Sequence, residues 1–466
     1  MNTLSINPRG SWKRAAFCIV VAGVTGSWAS AETSASATEP APPAPIVLSS
    51  AIPFDVTVNE TKVTLQSLQA DFDVMSWQTF VAMNWPVLPN GQPNPAVTIG
   101  QHKDNATVWE TWKESSQIFL PHGAPPAPWG QAGANLPADL PAKCRKLLAN
   151  GGRILTQIGK TPGLLTESEQ PFKTGPLIDQ HGRYARFEIL VNETMFDTIV
   201  SQKLYNKQAQ IGIPPVVFPC GAISPDPSKA GVGSIMVKAA WKILTPAELK
   251  GGRFHSRKAV IYTPASINPP VKESYEIATV GLVGLHIVHK TINAPQWVWT
   301  TFEHVDNCPT EGAVDAGKAY NFYNPKTPDV PANTPPLPPW DPNVVEPPAR
   351  RPQVVRKAPI DTPTQALNAA FQAALRKVNP QSVWQYYELV STQWPTAPAP
   401  SCDVKASAPT NLTGTPAPQF LANTTLETYI QGKVPNTSSS CIECHLNATT
   451  TKNTFSDFTY LLQRAQ

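Results

Sequence analysis

Near its C-terminal end the chain reads Cys441-Ile442-Glu443-Cys444-His445. A C-x-x-C-H of this kind is the attachment sequence for c-type haem. Two thiols at i and i+3 on one helical turn reach the two vinyl groups of the porphyrin, and the adjacent imidazole is presented to the iron. With 7 Cys and 8 His in 466 positions, such a match arises by chance in roughly two of a thousand chains of this composition. The competing readings are a disulfide across the two cysteines or one half of a zinc site, and no second Cys/His pair stands at zinc spacing. The sequence therefore predicts one covalent haem c on Cys441 and Cys444, with His445 as an axial ligand of the haem iron.

Only 21 residues follow His445, and none is Met or His. A second protein ligand to the iron must come from upstream, so another part of the chain has to pack over the haem. Past residue 31 the candidates are Met75, Met83, Met195 and Met236, and His102, His122, His181, His255, His286, His289 and His304. G-L-V-G-L-H-I-V-H-K-T carries His286 and His289, and W-V-W-T-T-F-E-H-V-D-N carries His304. The two segments read as strands of a hairpin that would bring His286 or His289 near His304. Side chains alternate along a strand, so His286 and His289 cannot both face one haem. The order of candidates for the distal ligand is His286, then His304 or Met83; the alternative is an open iron that binds a small molecule.

Cys144, Cys220, Cys308 and Cys402 remain. In an oxidising compartment an even count favours two disulfides, and of three connectivities the expectation is Cys144 with Cys220 and Cys308 with Cys402, the latter clipping the haem segment onto the core. A copper or zinc site built from these thiols is the functional alternative. Glu188, Glu303 and Asp306 sit in apolar strands, which points to buried ion pairs with Arg186 or Lys290. No Gly-rich phosphate loop, H-E-x-x-H or G-x-S-x-G is present, which leaves no recognisable hydrolytic or nucleotide-binding constellation.

These residues need elements to position them. Residues 1–31 read as an export signal, with Arg9, Lys13 and Arg14 before a short apolar run and an Ala29-Ser30-Ala31 cleavage site. Removing three of the 37 basic residues leaves 34 against 33 acidic, a net charge of +1, so nothing resembles a nucleic-acid-binding face. No other run approaches the ~18 apolar residues of a membrane span, and export predicts the periplasm of a Gram-negative bacterium. Proline stands at 51 of 466, roughly double the usual ~5%, which excludes a coiled coil or an all-helical bundle. Residues 32–45 read as a disordered leader, 46–323 as a β-rich core domain and 324–363 as a Pro-rich tether with 13 prolines between Pro325 and Pro363. Residues 364–466 read as a helical region with the haem attachment.

Strand-like runs are 184–191, 233–243, 259–262, 275–290 and 296–306. Helices are expected at 65–84, around 106–115, after Asp361, at 381–392 and at 455–464. The aromatic segment M-S-W-Q-T-F-V-A-M-N-W-P reads as a core-facing helix. The fold expected is α+β: an antiparallel β-rich core with peripheral helices and a short C-terminal helical haem-binding segment packed on it.

The chain resembles a family of exported bacterial proteins known simply as cytochrome c family proteins. The stretches that carry the resemblance are S-W-Q-T-F-V-A-M-N-W-P (76–86), V-W-E-T-W-K (108–113), G-L-V-G-L-H-I-V-H-K-T (281–291), P-Q-W-V-W-T-T-F-E-H-V-D-N (295–307), S-V-W-Q-Y-Y-E-L-V (382–390), S-S-C-I-E-C-H (439–445) and D-F-T-Y-L-L (457–462). The resemblance implies one haem c on Cys441, Cys444 and His445 and a role in exported redox chemistry, and it implies no substrate. The function expected is single-electron transfer between periplasmic donor and acceptor proteins. The alternatives are a haem oxidoreductase, peroxidase-like or oxygen-activating, and a haem-based sensor.

Overall fold

In a computed structural model of the chain, the described residues are 46–58, 63–101, 106–131, 136–156, 175–222, 231–267, 270–337, 340–344, 351–398, 402, 416–431 and 439–466. Residues 1–45, read from the sequence as an export signal and a leader, lie outside them, and Ile46–Gln466 is one compact unit. Helices are α1 (Leu65–Met83), α2 (Ser115–Ile118), α3 (Ala142–Ala149), α4 (Glu193–Ser201), α5 (Pro246–Gly251), α6 (Thr362–Val378) and α7 (Cys441–His445). Strands are β1 (Lys113–Glu114), β2 (Arg153–Leu155), β3 (Arg186–Val191), β4 (Gly221–Ala222), β5 (Gly231–Val232), β6 (Ile235–Ile243), β7 (Ser256–Thr263), β8 (Ser266–Ile267), β9 (Pro270–Val271), β10 (Ser274–His289), β11 (Val298–His304), β12 (Tyr387–Pro395) and β13 (Pro416–Ala417).

The centre is one sheet in the order β1-β3-β6-β10-β11-β12-β13, antiparallel along that path. β10 is its spine: its first half pairs with β7, its second half lies between β6 and β11, and β2 adds a short parallel pairing on β7. This is the expected α+β architecture. One face is covered by α1 and α6, where Trp77 stacks on Phe371 at 4.8 Å and Phe80 on Phe302 at 4.2 Å. α1 forms because Thr64 and Ser67 cap its first turn reciprocally, and it stops before Trp85-Pro86. The other face is covered by α4 and by the C-terminal residues.

Two expected helices are strands or turns. Residues 106–115 form a three-residue 3-10 turn at Trp109–Thr111 and then β1, because the Glu110 carboxylate turns back onto the Thr107 N–H and hydroxyl and takes Arg257 and His255. Residues 381–392 give a 3-10 turn followed by β12, whose backbone pairs with β11. The region 364–466 is thus part of the sheet and not a separate helical unit. Of 455–464, only Tyr460–Arg464 is helical, as a 3-10 turn. The described parts of the Pro-rich segment form a strap held by single bridges, Thr310 to Arg356 and Ala332 to Gln353. Val354 of this strap is fully buried beside Phe322.

Candidate haem-attachment site

The turn that carries the C-x-x-C-H is fixed by the sheet beneath it. Ser440 gives α7 no side-chain cap, so the first N–H groups of the helix need partners from elsewhere. Gln393 of β12 supplies one: its Oε1 accepts from the Ile442 N–H at 2.8 Å, and its Nε2 bonds the Ser440 hydroxyl at 3.2 Å and donates to the Pro418 carbonyl at 2.7 Å. Ile442 is completely buried, which leaves Cys441, Cys444 and His445 half-buried around the turn and Glu443 exposed.

The imidazole is oriented from the chain that follows. His445 Nδ1 lies 2.7 Å from the Phe458 carbonyl. A carbonyl only accepts, so Nδ1 holds the proton and Nε2 carries the lone pair that a metal requires. Trp299 packs on the ring at 4.5 Å between centroids and Tyr460 at 5.4 Å, while the Tyr460 hydroxyl donates to the Cys444 carbonyl at 2.9 Å.

The Phe458 carbonyl is itself held by a buried charge. Asp457 and Phe458 both adopt left-handed backbone, with φ of 53° and 63°, a conformation that side chains other than Gly rarely take. Asp457 accepts from the Phe218 N–H at 2.7 Å and the Trp297 indole at 3.4 Å, and it forms a short ion pair with Lys290 of the β10 end. Both side chains of that pair are wholly buried. Burial pushes the carboxyl up and the ammonium down, and each opposes the other's shift.

Across the sheet, Val191, Met236, Val288, Trp299 and Gln393 form one rung, and the attachment turn rests on it. Further along the same face, a Cβ on Gly284 would overlap the Thr425 hydroxyl. The glycine is what lets the turn at 423–427 lie directly on β10.

The upstream iron-ligand candidates have other partners. His286 shares a face with the attachment turn but bonds Glu427 through Nε2 at 3.0 Å and Thr301 through Nδ1 at 2.8 Å. His304 donates from Nε2 to the Arg253 carbonyl at 3.1 Å, accepts the Asp306 N–H at 3.2 Å and stacks on Phe254 at 4.1 Å. Met83 is fully buried in the cluster under α1, on the opposite face. The β10–β11 hairpin forms, but its register sets Thr301, not His304, opposite His286. His289 does point to the other face: it pairs with Val298, which packs with Phe72 and Met75 of α1.

Met236 is the methionine whose sulfur meets the C-terminal segment, accepting from the Thr459 hydroxyl at 3.5 Å. Thr459 adjoins the Phe458 carbonyl that holds Nδ1, so Met236 braces the residue next to that carbonyl. Gln393, Asp457 and Lys290 were not legible as site residues, because each acts across more than 40 positions of sequence.

The cysteines pair differently from the expectation. Cys220 bonds Cys402 with 6.1 Å between Cα atoms, and Cys402 Sγ lies 3.5 Å from the Thr291 carbonyl, next to Lys290. Cys144 lies buried in α3 and Cys308 is half-buried elsewhere, in separate clusters, so neither expected pair forms. Burial pushes the Cys308 thiol up to about 12. Among the described residues no three His, Cys, Asp or Glu converge as a metal site, and Cys441 and Cys444 stand outside the disulfide.

No family model, curated protein or solved structure matches this chain. The arrangement of the attachment residues fits a covalent haem: two thiols on one helical turn, a histidine whose tautomer leaves Nε2 as donor, and an aromatic wall of Trp299 and Tyr460. Among the described residues no helix is long and apolar enough to cross a membrane.

Proposed function

We propose that this chain is an exported c-type cytochrome of the family it resembles, holding one haem through Cys441, Cys444 and His445 and passing single electrons between periplasmic redox proteins. The observation that supports this most is the 2.7 Å contact between His445 Nδ1 and the Phe458 carbonyl, on the same turn as both cysteines. Metal-bound histidines ordinarily have their second nitrogen held in this way, because the outer bond fixes the tautomer and raises the basicity of the ligating nitrogen. Haem, when bound, supplies a one-electron couple. Cys441 and Cys444 would hold it as thioethers and His445 would offer Nε2 to its iron, while Lys290, Asp457 and Phe458 keep that imidazole from turning.

A second reading has its own support. His286, His304 and Met83 are each engaged away from His445, which favours an iron open on its distal side and hence a haem-dependent oxidoreductase, or a sensor, that takes a small molecule there.

The test is an optical spectrum of the full chain, produced with c-haem maturation, taken oxidised, reduced, and reduced with carbon monoxide. A low-spin spectrum unmoved by carbon monoxide supports the carrier. A high-spin spectrum that shifts supports the open-iron reading. Absence of a covalent haem band in the wild type, or its persistence in Cys441→Ser/Cys444→Ser, overturns both.

A further inference from the structure

A second site stands out at the far end of β10. There the start of β3, the ends of β6 and β7 and the start of β10 enclose a cleft of about 200 Å³ with Arg183, Arg186, Glu276 and Thr263 on its walls. The sequence offers Arg186 or Lys290 as partners for Glu188, Glu303 and Asp306, but Glu188, on the same strand as Arg186, is taken by Arg153 and the Trp241 indole. Arg186 is 2% exposed. It donates to the Thr263 hydroxyl at 2.8 Å and the Tyr262 carbonyl at 3.3 Å, and its Nε has no partner. A guanidinium has five N–H donors, so most of its bonding capacity is unspent.

Among the described residues no carboxylate forms an ion pair with Arg186. The one carboxylate on the cleft wall, Glu276, is engaged by Arg183. Burial, reinforced by the charge of Arg183, pulls the Arg186 guanidinium down to about 9. A buried cation without an ion-pair partner costs several kcal/mol, and the two hydrogen bonds and the more distant charge of Glu276 offset only part of it. The rest of the lining is mixed: Ile243, Ile261, Pro342 and Val344 are apolar, while Tyr184, Ser274 and Asn343 bring polar groups, the last two bonded to each other.

We propose that this cleft binds a small organic carboxylate, its carboxylate on the unspent donors of Arg186 and its apolar part against Ile243, Ile261 and Val344. The net charge of the walls, two guanidinium groups against one carboxylate, matches a monoanion. The planar fork of Arg takes a carboxylate bidentately, and the single net positive charge of the walls favours it over an anion of higher charge. The site is separate from the attachment turn: twelve residues of β10, from Glu276 to Val288, put roughly 40 Å between the two at ~3.3 Å per residue.

Isothermal titration of the full chain with acetate, butyrate, benzoate and inorganic phosphate, at constant ionic strength set by chloride, tests this. Saturable one-site binding that tightens from acetate to butyrate or benzoate is expected. Arg186→Met should weaken it by at least about tenfold, as for loss of a bidentate charged pair. Arg183→Gln releases Glu276 to compete for Arg186 and should weaken binding, whereas Glu276→Gln frees Arg183 and should tighten it. These two opposite signs decide the matter even if Arg186→Met does not fold. Non-saturable heats, phosphate binding without carboxylate binding, or the same response in both rim variants overturns the proposal.

Discussion

Phe458 holds His445 through its carbonyl, and that carbonyl points where it does because the fully buried Asp457 is anchored three ways. Replacing Asp457 by Asn leaves the Lys290 ammonium buried and uncompensated, a change that typically costs about 3–5 kcal/mol. Urea unfolding should show that loss. The pair Lys290→Met/Asp457→Leu should recover most of it, since removing both charges removes the desolvation penalty.

His289 gives a pH signature. It is fully buried with neither ring nitrogen bonded, and burial pulls it down to about 3 from an ordinary 6.5. The unfolded chain takes a proton there below pH 6.5 and the folded chain does not, so this residue makes stability fall as pH drops from about 6.5 toward 3. At pH 5 the loss is about 2 kcal/mol. His304, pulled down to about 4, adds the same sign. In His289→Leu, unfolding measured from pH 8 to 4 should lose one proton from its acid slope, and an unchanged slope would exclude His289 as the source.

Among the elements, β12 is the one on which the site rests and the one most easily misread. Gln381 to Thr392 offers Trp, Tyr, Leu and Val at intervals that suit a helix, yet these side chains are aromatic or β-branched enough to suit a strand, and pairing with β11 decides the matter. That pairing puts Gln393 under α7. Gln393→Ala should leave the buried Ile442 N–H unsatisfied, at a cost of about 1–3 kcal/mol, and should speed proteolytic cleavage near 439–446 without unfolding the sheet.

The Cys220–Cys402 bond closes 182 residues and pins the chain between β12 and β13 beside Thr291. In the chain-entropy limit such a loop contributes about 5 kcal/mol. Cys402→Ser should therefore lower the melting temperature sharply, and a mild reductant should reproduce the effect in the wild type.

For the molecule as a whole, the attachment segment is not a bead on a tether. Ile442, Phe458, Leu461 and Leu462 are all buried with Phe218, Met236, Trp297 and Trp299. Burying four such side chains stabilises by roughly 6–12 kcal/mol, comparable with the net stability of a domain. Truncation after residue 438 should expose that face, and dye binding and aggregation, rather than a folded remainder, are the expected result.

Read by itself, the sequence established the C-x-x-C-H and its three residues, the long helix α1, α6 after Asp361, and five of the sheet strands, since spacing, caps and period-2 alternation are local properties that neighbours along the chain dictate. Only tertiary structure decided that Cys220 takes Cys402, that Glu188 takes Arg153 and leaves Arg186 alone, that His286 takes Glu427, and that Gln393 and Asp457 set the attachment turn. Those are pairings between residues from 35 to 239 positions apart. Their partners are chosen by strand register and by which face each residue meets, and a shift of one residue would reassign every one of them.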